Sequence, residues 1–316
     1  MLKLDRVTKV YRVGTFGGRE LRAVDDVSLQ IPDSEVVALI GESGSGKSTI
    51  GKMILHLTNT TTGAISLDGV DVSGLRGPGL KDYYRKVQGV FQDPFSSYNP
   101  IFKADRLFHI IHAEFYPRVD AGTWERKLDG ALRDVGLNPE HVLNKFPHQL
   151  SGGQLQRFLI ARALLLDIRF LVADEIISML DASTRIDVLN LLAELRSRGL
   201  SVLFITHDLS LANYISDRAA ILYRGRIVEV GTTARIFTSA RHPYTQMLLQ
   251  SVPRLDRKWE LQTGIETTPL QAAFASGCVY RDRCPLAYEQ CSQKPELRPV
   301  DAEHAVACWK VPAAAG

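Results

Sequence analysis

The first 277 of the 316 residues contain no cysteine; all four, Cys278, Cys284, Cys291 and Cys308, lie behind them. The main body of the chain therefore cannot be held by disulfides. Long apolar runs are missing too. Nothing approaches the roughly eighteen consecutive apolar residues that cross a bilayer, and the longest buried-looking stretches, such as 202–205, are strand-sized. Charge of one sign is scarce: 38 Lys plus Arg face 35 Asp plus Glu, a net +3. That excess is too small for a surface built to neutralise phosphodiesters, so nucleic acid is not an expected partner. At 45% hydrophobic residues the chain is too apolar to be disordered, and its length suits one large or two modest domains. Residues 1–11 alternate apolar and charged side chains, which reads as a first strand and not as a secretory leader. The expectation is a soluble, cytoplasmic protein able to dock on a membrane protein.

Turn signals separate strand patterns at 7–10, 27–31, 36–40 and 65–67. After 36–40 comes a glycine loop, then apolar residues at helical spacing (Ile50, Met53, Ile54, Leu57), the start of an α/β unit. A further strand is predicted at 87–91, a mainly helical insert at 101–145, and strands at 170–173 and 202–205 with a helix around 186–195 between them. Residues 219–223 and 226–230 read as a hairpin turning at Arg224-Gly225. From about Pro253 the composition shifts toward Pro, Gln, Glu and Cys, which predicts a small separate C-terminal module.

Residues 41–48, Gly-Glu-Ser-Gly-Ser-Gly-Lys-Ser, match the phosphate-loop pattern G-x-x-x-x-G-K-[S/T]. Glycine lets backbone N–H groups converge on a polyphosphate, and the following helix offers its unpaired donors and positive dipole end. Lys47 would reach the β and γ phosphates and Ser48 would hold Mg²⁺. A second element, Phe170-Leu-Val-Ala-Asp174-Glu175, ends an apolar strand in two carboxylates. Asp174 is placed to serve the metal and Glu175 to polarise a water. These residues predict a nucleotide triphosphatase.

The motif order carries a resemblance. Leu150-Ser151-Gly152-Gly153-Gln154 is similar to the signature loop of the ATP-binding cassette (ABC) family. It occurs with the phosphate loop, Gln92 after a strand, Asp174-Glu175, the 178–181 loop ending in Asp181, and His207 after 202–206. The resemblance covers residues 1 to about 250 and implies an α/β fold: an ABC-type P-loop ATPase with a mixed sheet core and a helical subdomain at about 101–168. It also implies roles. Tyr11 would stack on adenine, and Gly41, Ser43, Gly44, Gly46, Lys47, Ser48 and Thr49 would hold the phosphates of ATP. Ser48, Gln92 and Asp174 would hold Mg²⁺, with Glu175 the general base and His207 the γ-phosphate sensor. Ser151, Gly152, Gly153 and Gln154 would face the nucleotide of a second ABC ATPase subunit, identical or paralogous, across an interface that Asp181 joins. One departure stands out: Ile176 and Met179 occupy positions where the family usually has proline and alanine. No chemical group is lost, so hydrolysis is expected to persist.

Residues 92–100, Gln-Asp-Pro-Phe-Ser-Ser-Tyr-Asn-Pro, the lead-in 146–150, His242-Pro-Tyr-Thr-Gln246 and the cysteine tail resemble the ATPases of oligopeptide and dipeptide uptake systems. Such systems add two transmembrane permease subunits and an extracytoplasmic solute-binding protein, and place the ATPase on the cytoplasmic face of the membrane. Relatives serve oligosaccharides, nickel or opines, and a weakly hydrolysing half of a heterodimer is a further alternative. Soluble ABC proteins of translation or repair carry two cassettes or coiled-coil inserts, and neither is present. Phe102, Phe108 and Phe115 are candidates for contact with a permease, with buried packing expected for at least two. The expected domains are 1–252 for the ATPase and 253–316 for the tail. The cysteine spacing, C-x₅-C-x₆-C-x₁₆-C, suits either a thiolate zinc site or a [4Fe–4S] cluster, and spacing alone does not choose between them. The resemblance favours [4Fe–4S], with zinc and unliganded thiols as alternatives.

Overall fold

A computed structural model of the protein describes residues 1–13, 18–251 and 277–312. In chain order its elements are β1 (Leu2–Val13), β2 (Arg19–Ile31), β3 (Val36–Ile40), α1 (Lys47–Ile54), β4 (Thr62–Leu67), β5 (Val70–Asp71), α2 (Gly77–Lys86), β6 (Val87–Val90), α3 (Arg106–Phe115), α4 (Ala121–Asp134) and α5 (Pro139–Val142). They continue with α6 (Gly152–Leu164), β7 (Phe170–Asp174), α7 (Ala182–Ser197), β8 (Ser201–Thr206), α8 (Leu209–Ile215), β9 (Arg218–Tyr223), β10 (Arg226–Thr232), α9 (Thr233–Ser239), α10 (Pro243–Gln250), β11 (Arg298–Asp301) and β12 (His304–Val306). Two compact units result, Met1–Gly74 with Phe204–Gly316, and Leu75–Leu203.

In the first unit an antiparallel sheet runs β2-β1-β4-β5, and a second sheet carries β11-β12-β10-β9-β3 side by side. All five residues of β3 are buried, as an uninterrupted Val-Val-Ala-Leu-Ile run requires of a strand covered on both faces. It pairs in parallel with β9, Val37 opposite Arg218 and Ile40 opposite Ile221. The predicted hairpin is present as β9 and β10. Its two turn residues, Arg224 and Gly225, have φ of 44° and 78°, the left-handed pair that matches the twist of the flanking strands.

The described part of the tail, residues 277–312, clusters with the first unit. Strand β12 pairs with β10, Glu229 opposite Val306, and β11 pairs with β12. Val279 and Tyr280 enter the same core cluster as Ile40, Ile221, Tyr223 and Tyr244. Two strands of four and three residues cannot enclose a core alone, so they borrow one. The boundary expected near Pro253 lies outside the described residues.

In the second unit β6 and β7 are parallel, Val87 opposite Phe170. The helices pack through rings: Phe108 lies 4.8 Å from Phe158, both fully buried, and His112 stacks on Trp124 at 4.8 Å. Helix α2 has no counterpart among the predicted elements. Its Gly-Pro-Gly start reads as a loop, although proline in a first turn is itself a helix-start signal. Among the described residues, no helix is long and apolar enough to cross a membrane.

Candidate nucleotide site

Strand β3 delivers the chain to Gly41, where a β-carbon would sit 2.2 Å from the carbonyl oxygen of Leu222. Gly46, at φ +107°, would bring one to 2.3 Å from the Ala23 carbonyl. Only glycine fits at either position. The loop between them is pinned by Gly225 N–H donating to Ser45 O at 2.7 Å and Ser45 N–H donating to Glu42 O at 3.1 Å. Lys47 is buried, and its ammonium donates to the carbonyls of Gly41 and Glu42 at 2.8 and 2.9 Å, which turns it toward the middle of the loop. Ser43, Gly44 and Ser48 are exposed, and Thr49 is half-buried. No side chain caps α1, whereas side-chain oxygens cap α4, α6, α7 and α8. The first-turn donors of α1 are thus offered to an anion held in the loop.

Tyr11 is half-buried near the end of β1, with the Lys9 ammonium 4.9 Å from its ring centre. His207 is exposed at the end of β8, and the next residue, Asp208, caps α8 by accepting from Ser210 and Leu211 N–H.

The second unit carries the other half of the residues. Ser151 Oγ accepts from Gln154 N–H at 3.1 Å while Gln154 Oε1 accepts from Ser151 N–H at 2.9 Å. This is a capping box, which explains the Ser-x-x-Gln spacing and orients the start of α6. Gly153 is required because a β-carbon would lie 2.6 Å from Thr184 Cγ2. A cavity of about 360 Å³ opens here, lined by His141, Ser151, Gly153, Gln154, Arg157 and Thr184.

Asp174 is buried at the end of β7, and Glu175 follows at φ +50°, a left-handed conformation that costs a glutamate energy. Its carbonyl accepts from both the N–H and the hydroxyl of Ser178. Ile176 is buried and Met179 is 63% exposed. Asp181 caps α7: its carboxylate accepts from the Ser183 hydroxyl and from Thr184 N–H and Oγ1, and these bonds hold its pKa below the usual carboxylate range. Gln92 is exposed beyond β6. Of the three phenylalanines, Phe108 is buried, Phe115 half-buried and Phe102 exposed. Ile101, Ile110 and Phe95 are exposed as well.

The four cysteines are free thiols. Cys278 N–H donates to Cys291 O at 2.9 Å. Burial pushes the Cys278 and Cys284 thiols up, and the neighbouring cysteines add to the shift. Neutral thiols lose their protons when a metal binds, so metal affinity at such a site falls as pH drops. Among the described residues no group of three or more His, Cys, Asp or Glu side chains is arranged to hold a metal ion. The four thiols nonetheless gather in one region: Cys284, Cys291 and Cys308 are all electrostatic neighbours of Cys278.

Several residues around the loop escaped sequence reasoning. Tyr244 Oη accepts from Glu42 N–H at 3.1 Å, and Arg283 Nη1 lies 3.1 and 3.0 Å from the two Glu42 carboxylate oxygens. His242 caps α10 by accepting at Nδ1 from Tyr244 N–H. Buried Glu229 accepts from the N–H groups of Arg241 and His242 and bonds His304 Nε2 at 2.7 Å, which ties β12 to α10. The 242–246 text and the cysteine tail included His242, Tyr244 and Arg283 as letters; their contacts, and His304, carried no signal, because the partners are distant in sequence.

Fold and loop define a P-loop nucleotide triphosphatase. Residues 24–178 match the family model described as ABC transporter, and residues 228–291 the one described as oligopeptide/dipeptide transporter, C-terminal region. The chain belongs to the ABC transporter family, in the branch of ATP-binding subunits that carries this C-terminal region, and is an ATPase working on ATP with Mg²⁺. A Brucella ovis protein named for peptide import and ATP binding is 42% identical over 295 residues, covering 91% of this chain and 92% of that protein. Oligopeptide transport ATP-binding protein OppF of Salmonella typhimurium is 36% identical, covering 93% of this chain and 89% of its own. Among solved structures, the dimeric post-hydrolysis state of the ATP-binding cassette MJ0796, bound to ADP and Pi, matches with a TM-score of 0.66 and 30% identity over 74% of this chain and 99% of that one.

Proposed function

We propose that this protein is the ATP-hydrolysing subunit that energises a membrane importer of oligopeptides or dipeptides. The observation that carries the reading is the joining, in one chain, of a complete set of cassette motifs to the oligopeptide/dipeptide C-terminal region. Relatives named for peptide import along nine-tenths of their length support it.

In this reading Tyr11 stacks on adenine, while Gly41, Ser43, Gly44, Gly46, Lys47 and Thr49 hold the phosphates. Ser48, Gln92 and Asp174 hold Mg²⁺, which neutralises charge on the phosphate oxygens when bound. Glu175 accepts a proton from water as that water attacks the γ phosphorus. The bond to the β-phosphate oxygen breaks, leaving ADP and phosphate, and His207 orients the γ phosphate. The left-handed backbone at Glu175 supports its role, since strain persists where surroundings over-determine a side chain's position. Ser151, Gly152, Gly153 and Gln154 face the nucleotide of a second ATPase subunit, and Asp181 lies in the loop crossing that interface. The partners are that subunit, two permeases and an extracytoplasmic solute-binding protein, with this chain peripheral on the cytoplasmic face. Residues 1–252 form the ATPase region, with its helical subdomain at about 101–168, and 253–316 form the transporter-type tail. The gathering of four thiols supports a [4Fe–4S] cluster held by Cys278, Cys284, Cys291 and Cys308, which would tie the tail together, with zinc as the alternative.

Glu175→Gln tests the catalytic assignment. Nucleotide binding should persist while turnover in the assembled complex falls by about 10²–10⁴-fold, the usual worth of a general base. Unchanged turnover would mean that another subunit's site carries the work.

A further inference from the structure

The phosphate loop has one connection that the nucleotide reading leaves unused. Glu42, the residue after the first glycine of the phosphate loop, is gripped at three points. Its carbonyl accepts from the Lys47 ammonium at 2.9 Å, its N–H donates to Tyr244 Oη at 3.1 Å, and its carboxylate meets Arg283 Nη1 at 3.0 and 3.1 Å. Two of the three holders come from the C-terminal region. Arg283 is not a loose surface cation: its side chain is 21% exposed, and it lies against Tyr223 and Tyr280, at 5.9 and 6.0 Å from their ring centres. Those rings pack with Tyr244, Tyr223 at 4.5 Å and Tyr280 at 5.4 Å. The turn that carries Arg283 is set by hydrogen bonds within the cysteine-bearing tail: Arg281 N–H to Cys278 O, and Arg283 N–H to Tyr280 O.

We propose that Arg283 is a positioning residue of the phosphate loop: by pairing with the Glu42 carboxylate it fixes the loop's second residue and cancels a negative charge beside the place where a triphosphate binds. The chemistry is specific. A carboxylate on a residue whose own carbonyl holds Lys47 competes with phosphate oxygens for that ammonium and repels the polyanion. A guanidinium seated on the carboxylate removes both effects while leaving the loop's N–H donors untouched. The cysteine tail thereby acts on the nucleotide site through one side chain. This inference rests on the assignment of residues 41–48 to nucleotide binding.

The test is MgATP affinity of the full chain, measured without turnover by equilibrium titration of wild type, Arg283→Gln, Arg283→Lys, Glu42→Gln and the double variant R283Q/E42Q. Arg283→Gln should weaken binding by about three- to five-fold, the coupling expected of a half-exposed ion pair. The loss should shrink at ~1 M salt, where the Debye length is about 3 Å. Arg283→Lys, which keeps the charge, should lose less, and R283Q/E42Q should recover most of the affinity because no unpaired carboxylate remains. The double variant also guards against misfolding, since a tail that merely collapsed would not be rescued by a change in the loop. Equal affinity of Arg283→Gln and wild type overturns the proposal. So does a loss that is independent of salt and persists in R283Q/E42Q, which would mark a purely structural role. Wild type that binds no MgATP would bring down the nucleotide reading itself, and this inference with it.

Discussion

At Gly153 the missing methyl group decides how closely two helices approach. A β-carbon there would lie 2.6 Å from Thr184 Cγ2, a short branch that cannot swing aside, since Thr184 Oγ1 is held on Asp181 at 2.7 Å. Gly153→Ala should therefore destabilise the protein by about 1–3 kcal/mol, the range for overpacking. Adding Thr184→Ser, which deletes Cγ2 but keeps the hydroxyl, should restore most of that. Chemical denaturation of the two variants checks it, and a double variant no more stable than Gly153→Ala would show that the clash is not with Thr184. The glycines at 41, 46 and 153 were legible as motif letters. Their reasons were not, because each is set by an atom distant in sequence: Leu222 O, Ala23 O and Thr184 Cγ2. The same applies at Ile176 and Met179, equally unusual as letters, of which one proved buried and the other exposed.

The elements were read well wherever their patterning was undiluted. Strand β3 was located to the residue, and β7, β8 and the β9–β10 hairpin to within one or two, because continuous apolar runs and an Arg-Gly turn leave few alternatives. Helix α10 shows what pattern alone could not supply. Its cap, His242, is 1% exposed, and burial lowers its pKa to about 4 from 6.5. The folded state thus binds fewer protons than the unfolded chain between those values. The stability His242 contributes is fully present above pH 6.5, falls as pH drops, and is gone below about 4, for a total of roughly 3 kcal/mol. Denaturation midpoints taken across that window should fall with pH in wild type. They should fall less in His242→Asn, which still caps a helix but does not titrate. Parallel curves would exclude His242 as the source.

For the molecule as a whole, the tail is where expectation and structure differ most. Composition marked 253–316 as separate, yet its strands complete a sheet of the first unit and its side chains reach Glu42 and Glu229. Metal content tests what the tail holds. Anaerobically purified protein carrying about four iron and four sulfide per chain would establish the proposed cluster; one zinc without sulfide would replace it, and neither metal would leave four unliganded thiols. By itself the sequence determined the fold class, the phosphate loop, the signature and the candidate carboxylates, because these depend on residue type at short spacing, where backbone geometry is local. Only the tertiary structure decided that the tail shares a core with the nucleotide-binding unit, that Arg283 meets Glu42 across 241 positions, and that the four thiols gather in one region. Those contacts arise from burial and charge pairing between segments far apart in the chain, and periodicity and spacing carry no record of them.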